Sequence, residues 1–142
     1  MTDVVVDSNV VVGARMQRDQ WHDAGRAIVS GIDAGDLPRG RLTYFCLPEV
    51  LTPIEKRAGD GPARETLAFL IESRGFDLVY VAREDVTKGL AIYRREDGIE
   101  VVDCFTVAYM QRLGIEFVYS FDDDFDRFDG ITRIVSADDP FA

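Results

Sequence analysis

Short apolar, β-branched runs alternate with amphipathic stretches along the whole of this 142-residue chain. Residues 4–6 are three valines, typical of a buried strand, whereas residues 21–33 place apolar side chains at helical spacing. The same criteria predict strands at residues 42–46, 76–81, 116–121 and 131–135, and helices at residues 49–57, 63–74, 85–95 and 99–113. Because helices alternate with strands, we predict an α/β fold with a mostly parallel sheet covered by helices on both faces.

Two aspartates lie where predicted strands end. Asp7 follows the valine run, and Asp122 follows residues 116–121, inside the sequence YSFDDDFD at residues 119–126. In open α/β sheets, ligands bind at the carboxyl ends of the strands, so both acids should lie on one functional edge. Carboxylates crowded in this way repel one another, so the segment is either a solvated loop or a site that binds a cation.

Two further acids lie on predicted helices. Asp103 belongs to an apolar helix in which the first basic residue is Arg112, and Glu49 begins another helix. An isolated buried charge is strongly disfavoured, so a metal ion is the economical partner for Asp103. Three or four oxygen ligands that leave room for water are typical of Mg²⁺ or Mn²⁺. Such ions activate water and neutralise charge that develops on a phosphodiester.

Taken singly, most of these acids also have a structural interpretation. An aspartate directly after a strand is commonly a turn residue or a helix cap, and Glu49 could complement a helix dipole. Asp103 has no comparable structural role. The four acids together therefore favour a metal site over four independent structural roles.

Composition restricts the setting in which the protein works. The net charge is −10, with 18 Asp and 8 Glu against 14 Arg and 2 Lys, which argues against nucleic-acid binding through a diffuse basic surface. An Asp-rich, Lys-poor surface is typical of salt-loving organisms, in which screening weakens self-repulsion. Cys46 and Cys104 lack metal or redox spacing and should be buried, inert thiols. With no signal peptide or membrane span in the sequence, we predict a cytoplasmic protein.

Four ordered segments resemble the PIN-domain ribonucleases, especially the VapC-type toxins. They are VVVDSN at residues 4–9, LPEVL at residues 47–51, VD at residues 102–103 with Ala108 and the Leu113-Gly114 pair behind it, and SFDDDF at residues 120–125. The resemblance covers nearly the whole chain. It implies that residues 1–142 form a single PIN domain, a three-layer α/β/α fold around a parallel sheet.

The resemblance also implies roles for individual residues. The catalytic acids would be Asp7, Glu49, Asp103 and Asp122. Of these, Asp7, Asp103 and Asp122 would be metal ligands. Supporting roles would fall to Ser8, Asn9 and Ser120, which orient the site or the substrate, and to the auxiliary acid Asp126.

A PIN-domain toxin would cleave RNA with Mg²⁺ or Mn²⁺, form a homodimer and bind a small cognate antitoxin. Two alternatives stay open within the same fold. The chain could be a catalytically idle binding or scaffold module, although all four acids are present, or a housekeeping RNA-processing nuclease without an antitoxin.

Other acid-rich sites fit the sequence less well. Asp122, Asp124 and Asp126 match the first, third and fifth positions of an EF-hand loop, but Arg127 and Arg133 stand where that loop needs glycine and glutamate. A haloacid-dehalogenase phosphatase would need a second acid where Asn9 stands. A phospho-receiver domain would need a lysine after a late strand, and the two lysines of this chain, Lys56 and Lys88, are elsewhere.

Overall fold

The computed structural model describes residues 2–142, and within them it forms five β-strands, six α-helices and one 3₁₀ helix. The strands are β1 (Val4–Val6), β2 (Gly40–Thr43), β3 (Phe76–Val79), β4 (Phe117–Tyr119) and β5 (Thr132–Ile134). The helices are α1 (Ser8–Arg15), α2 (His22–Ala34), α3 (Leu47–Ala58), α4 (Asp60–Glu72), α5 (Arg83–Arg95), α6 (Val101–Leu113) and the 3₁₀ helix Asp123–Arg127.

All strand pairs are parallel, and the sheet order is β3-β2-β1-β4-β5. The chain builds outward from β1 through β2 to β3, and then crosses back to place β4 on the other side of β1. The connections therefore diverge on the two sides of β1, which opens a crevice at the carboxyl ends of β1 and β4. The predicted α/β fold with a parallel sheet is confirmed.

The three valines of β1 divide the core into two halves. Val4 and Val6 face a cluster that contains buried residues of α1, α2, α3 and α4, whereas Val5 faces a cluster built with α5 and α6. This alternation is the period of two that a strand imposes on its side chains. It produces the three α/β/α layers, with β1 buried on both faces.

The structure differs from the predicted elements in two places that shape the carboxyl edge. Helix α1 was not predicted, because its start is hidden in a valine-rich segment; Asp7 caps it by accepting a hydrogen bond from the Ser8 N–H. Strand β2 ends at Thr43, earlier than predicted, so Tyr44 and Phe45 leave the sheet and lie in the turn before α3.

Helix α4 also begins earlier than predicted, at Asp60. Its Gly61 and Pro62 suggested a chain break, but Pro62 falls in the first turn, where the N–H that proline lacks would have no intrahelical partner.

A close backbone contact at Gly75 gives a testable stability prediction. A Cβ atom added at Gly75 would lie 1.9 Å from the carbonyl oxygen of Ile32 in α2, and backbone cannot move aside cheaply. We expect Gly75→Ala to lower the free energy of unfolding by about 1–3 kcal/mol, the usual cost of overpacking. Gly61→Ala is the matched control, because nothing lies within 4 Å of its added Cβ. It should stabilise helix α4 by about 0.5–1 kcal/mol. Urea denaturation of both variants measures these changes in the free energy of unfolding, which should have opposite signs. Equal changes in the two variants would contradict the prediction.

Both cysteines are free and buried, as predicted. Burial raises the pKa of the Cys46 thiol to about 12, so it stays protonated and unreactive at neutral pH. Within the part of the chain that the structure describes, no helix combines the length and the apolar character needed to cross a membrane.

Candidate active site

Asp7 and Asp122 meet at the carboxyl ends of the adjacent strands β1 and β4. Val6 pairs with Tyr119 in the sheet, and the Asp7 N–H donates a hydrogen bond of 2.9 Å to the Tyr119 carbonyl. Asp7 is 3% exposed. Asp122 follows three residues after β4 and caps the 3₁₀ helix through the Asp124 N–H at 2.9 Å. Both aspartates are therefore helix caps at the carboxyl edge of the sheet.

Ser120 joins these two aspartates. Its hydroxyl is completely buried, donates to Asp7 Oδ2 at 2.7 Å and accepts the Asp122 N–H at 3.0 Å. Asn9 reinforces the link, since its amide nitrogen donates to Asp7 Oδ2 at 3.3 Å and its oxygen accepts the Phe121 N–H at 3.2 Å. The small polar residues after β1 and β4 thus fix the position of the Asp7 carboxylate.

Burial raises the pKa of Asp7 to about 6, although the hydrogen bonds from Ser120 and Ser8 act in the opposite direction. The neighbouring charges of Asp122 and Glu100 raise it further. The Asp7 carboxyl group is therefore harder to ionise than an ordinary aspartate, and a positive charge close to it would favour its ionised form.

Asp103 lies in the first turn of α6 and is 6% exposed. Burial, followed by the charge of Asp7 and a hydrogen bond to Asp122, raises its pKa to about 9. The first basic residue of its helix, Arg112, is already paired with Asp85 at 2.8 Å. Among residues 2–142, neither Asp103 nor the other acids of this site form an ion pair with an arginine or lysine. The most perturbed carboxyl group of the site therefore has acidic neighbours and no cationic side chain.

Glu49 reaches the same site from the first turn of α3. It is half buried, and Ser8 Oγ donates to its Oε1 at 3.4 Å. Burial, followed by the charge of Asp7, raises the pKa of Glu49. All four predicted acids, together with Ser8, Asn9 and Ser120, are thus linked by hydrogen bonds or by their mutual charge.

Asp124 joins the site in the place that the sequence suggested for Asp126. Carboxylate oxygens of Asp103, Asp122 and Asp124 lie within 4.8 Å of one another, close enough to share one ion. Asp126 turns away and pairs with Arg133 at 3.0 Å, which lowers its pKa. In an α-helix, Asp126 would lie about one turn after Asp122. The segment is a 3₁₀ helix, in which residues three apart are eclipsed, so Asp126 lies over the exposed Asp123 instead.

Glu100 is a second acid that the sequence interpretation did not include. It is the exposed N-cap residue of α6, and its charge raises the pKa of both Asp7 and Glu49. The sequence could have indicated Glu100, because it lies immediately before the helix that carries Asp103. His22, the only histidine, begins α2 and binds the Gly13 carbonyl through Nδ1 at 2.9 Å, outside the group of acids.

The donor set fits a hard divalent cation. It consists of carboxylate oxygens on β-strand ends and helix N-termini, held by a buried polar network and lacking a positive partner. Mg²⁺ and Mn²⁺ prefer such oxygen ligands and keep waters in the remaining positions.

Comparisons with known proteins agree with this architecture. A family model described as PIN domain matches residues 4–131. The sequence matches no curated protein. Among solved structures, Mycobacterium tuberculosis VapC20, described as a toxin that cleaves the sarcin-ricin loop, superposes with a TM-score of 0.75 at 22% identity, covering 87% of this chain and 93% of that one.

Two assemblies contain similar folds. A chain of a toxin–antitoxin complex from Klebsiella pneumoniae gives a TM-score of 0.62 at 15% identity, covering 91% of this chain and 95% of that one. A chain of VapBC2 from Rickettsia felis, bound to a DNA fragment from its promoter, gives a TM-score of 0.69 at 9% identity, covering 93% and 97%. At these identities, the similarity shows a shared fold and nothing more specific.

Proposed function

This chain belongs to the PIN domain family, and we propose that it is an endoribonuclease that uses Mg²⁺ or Mn²⁺ to hydrolyse RNA phosphodiester bonds. The observation that carries the proposal is the buried carboxyl group of Asp103, which has Asp122 and Asp124 within reach of one shared ion and no basic partner. RNA is the favoured substrate because the similarly folded VapC20 is described as cleaving the sarcin-ricin loop.

Each acid has a separate task in this proposal. Asp103, Asp122 and Asp124 would hold the ion, with Asp7 beside them. When bound, the ion polarises the scissile phosphate and lowers the pKa of a water molecule. Ser120 and Asn9 keep Asp7 oriented, and Glu49, whose pKa is raised, is suited to accept the proton of the attacking water.

We further propose that residues 1–142 form a single PIN domain that acts as the toxin of a toxin–antitoxin pair. Two of the similar folds come from toxin–antitoxin assemblies, which supports a small antitoxin partner. Such a partner could place an arginine or lysine among the acids, where a positive charge relieves their repulsion. A homodimer remains part of the proposal, and sedimentation at several protein concentrations tests it.

The two alternatives from the sequence make different predictions. An idle binding module would keep the fold without metal-dependent turnover, but the intact group of acids supports catalysis. A housekeeping nuclease would cleave RNA without a dedicated inhibitor. Expression in growing cells, alone and together with the product of an adjacent short gene, separates a toxin from a housekeeping enzyme.

Asp124 and Asp126 form a matched pair for testing the active site. Cleavage of a labelled, structured RNA pool should require Mg²⁺ or Mn²⁺ and should stop when a chelator is added. We expect Asp124→Asn to lower kcat/KM by about a hundred-fold, since a ligand to the ion is lost. Asp126→Asn should change it by less than about threefold, because it removes only an exposed ion pair.

Equal losses in the two variants would show that Asp124 has no special role. Absence of metal-dependent cleavage by folded protein, free of antitoxin and tested at low and high salt, would overturn the proposed nuclease in favour of the idle module.

A further inference from the structure

Two tyrosines form an exposed aromatic pair where β2 and β3 end, with an angle of 33° between the two ring planes. Tyr44 directly follows β2, Tyr80 directly follows β3, and their ring centroids are 4.4 Å apart. The Tyr44 N–H donates to the Val79 carbonyl at 2.9 Å, which holds the two chain segments together. Tyr80 is 79% exposed. A large ring in this position gains little from the core of the protein, so its outer face is free for a ligand.

A second aromatic pair, tilted by 37°, joins the turn after β2 to helix α6. Phe45, next to Tyr44, is exposed and packs on Phe105 with a centroid distance of 4.8 Å. Phe105 lies two residues after Asp103 on α6. The exposed ring of Phe45 is therefore held against the helix that carries Asp103, through a Phe105 ring that is itself buried.

A third aromatic pair, the one that is stacked, lies on the other side of the acids. Trp21 is exposed and packs almost parallel on Phe121, with centroids 4.7 Å apart and an angle of 10° between the rings. Phe121 immediately precedes Asp122. In the sheet order β3-β2-β1-β4, the carboxyl edge thus presents Tyr80, Tyr44, Asp7 and then Phe121 with Asp122.

We propose that these exposed rings, Tyr44, Phe45 and Tyr80 on one side and Trp21 on the other, stack on unpaired bases of an RNA strand whose backbone crosses the acids. The proposal rests on the proposed nuclease function and adds the part of the surface that holds the substrate. Such contacts need unpaired bases, because only unpaired bases can turn outward and stack on side chains.

Stacking suits this chain because its charge opposes RNA. With 26 acidic residues against 16 lysines and arginines and a net charge of −10, the surface as a whole repels phosphates. Contacts between aromatic rings and bases contribute affinity without basic side chains and accept any base, since every base has a flat π-face. They also lose little strength when salt screens the phosphates.

The shape of the surface favours RNA over a protein partner. Protein interfaces typically bury about 800 Å² of each partner around an apolar centre. Here the rings are separated by the carboxylates of Asp7, Glu49 and Asp122, so the apolar surface is divided in two. An RNA strand fits such an alternation, with bases on the rings and its backbone at the carboxylates through the ion.

Substitution by leucine separates stacking from general apolar contact. The test is steady-state cleavage of a fluorescent RNA with an unpaired loop. The double variant with Tyr44→Leu and Tyr80→Leu should raise KM about tenfold and change kcat much less. Changing both tyrosines to phenylalanine keeps the rings and should bring KM to within about twofold of wild type. The single Tyr80→Leu variant, at a ring that is 79% exposed, should raise KM in the same direction with little change in thermal unfolding.

Phe141→Leu is the matched control. This exposed ring packs on Phe117, the first residue of β4, and so lies at the opposite edge of the sheet. It should leave KM unchanged. Trp21, the only tryptophan, gives an independent signal, because a base stacking beside it should quench its fluorescence when RNA is added.

The outcomes separate the two proposals. If wild type cleaves RNA and the leucine variants keep its KM, the stacking proposal is overturned while the nuclease stands. If the leucine variants instead lose only self-association or antitoxin binding, the rings belong to a protein interface and the stacking proposal is again overturned. If wild type neither cleaves nor binds RNA, the proposed function itself fails.

Discussion

Replacing Asp103 with asparagine is expected to abolish RNA cleavage and, in the same protein, to raise the free energy of unfolding without divalent ions. A bound ion contributes several kcal/mol to charge stabilisation in the transition state, so loss of its central ligand should lower kcat/KM by about a thousand-fold or more. The stability gain has the opposite origin. Asp103 is buried among acids that raise its pKa to about 9, whereas an amide can donate to Asp122 without having to bind a proton.

The expected gain is about 1–3 kcal/mol at neutral pH, because Asp103 has to take up a proton on folding at a pH far above its unfolded pKa, whereas asparagine does not. Asp85 provides the matched control, since it is also a buried aspartate on a helix, at 1% exposure. Unlike Asp103, it accepts two hydrogen bonds from Arg112, at 2.8 and 3.0 Å, and one from the Ala82 N–H at 2.7 Å. Asp85→Asn should therefore destabilise the fold by about 1–3 kcal/mol.

Urea denaturation in the presence of a chelator measures both stability changes, and the RNA cleavage assay measures activity. If Asp103→Asn lost as much stability as Asp85→Asn, Asp103 would be a structural residue. If Asp103→Asn still cleaved RNA, Asp103 could not be the central ligand of the proposed metal site. A variant that is more stable but inactive is characteristic of a position at which the native residue serves function and lowers the stability of the fold.

The same conflict explains which parts of the site could be predicted from the sequence. An acid in an apolar helix contradicts the pattern around it, and this contrast with its neighbours makes Asp103 recognisable in the sequence. The alternation of strands and helices determines the order of elements, and parallel strands bring their carboxyl ends to one edge, so Asp7 and Asp122 could be placed together.

The parts that sequence interpretation missed depend on local geometry that several sequences share. The chain after Asp122 forms a 3₁₀ helix that brings Asp124 close to Asp103, whereas the aspartate run in the sequence is equally compatible with an α-helix. Likewise, the valines after Asp7 suit a strand as well as helix α1. The early end of β2 turned Tyr44 and Phe45 from predicted strand residues into exposed rings.

The electrostatics of the acids also make the stability of the metal-free protein dependent on pH, with a defined sign. The pKa of Asp7 is raised from 3.8 to about 6 and that of Asp103 from 3.8 to about 9. Between pH 3.8 and these values, the folded state binds protons that the unfolded state has released. Stability from these groups is therefore complete below about pH 4 and is lost as the pH rises, for Asp7 toward about 6 and for Asp103 toward about 9.

A divalent ion should reverse this loss, because it binds the deprotonated carboxylates in place of the protons. We expect saturating Mg²⁺ or Mn²⁺ to add about 3 kcal/mol to the free energy of unfolding at about pH 8, and little at about pH 5. Urea denaturation with and without the ion, at constant ionic strength set with monovalent salt, separates ion binding from general screening of the acidic surface.

Asp103→Asn distinguishes the site from the other acids of the chain. The variant should show a flatter pH profile without metal and a smaller increase with metal, whereas Asp123→Asn, at an exposed position beside the site, should match wild type. An increase on adding the ion that is the same at both pH values, or that survives in Asp103→Asn, would assign the stabilisation to nonspecific binding. An increase confined to high pH and dependent on Asp103 would mean that the ion replaces the proton that Asp103 otherwise retains at this pH.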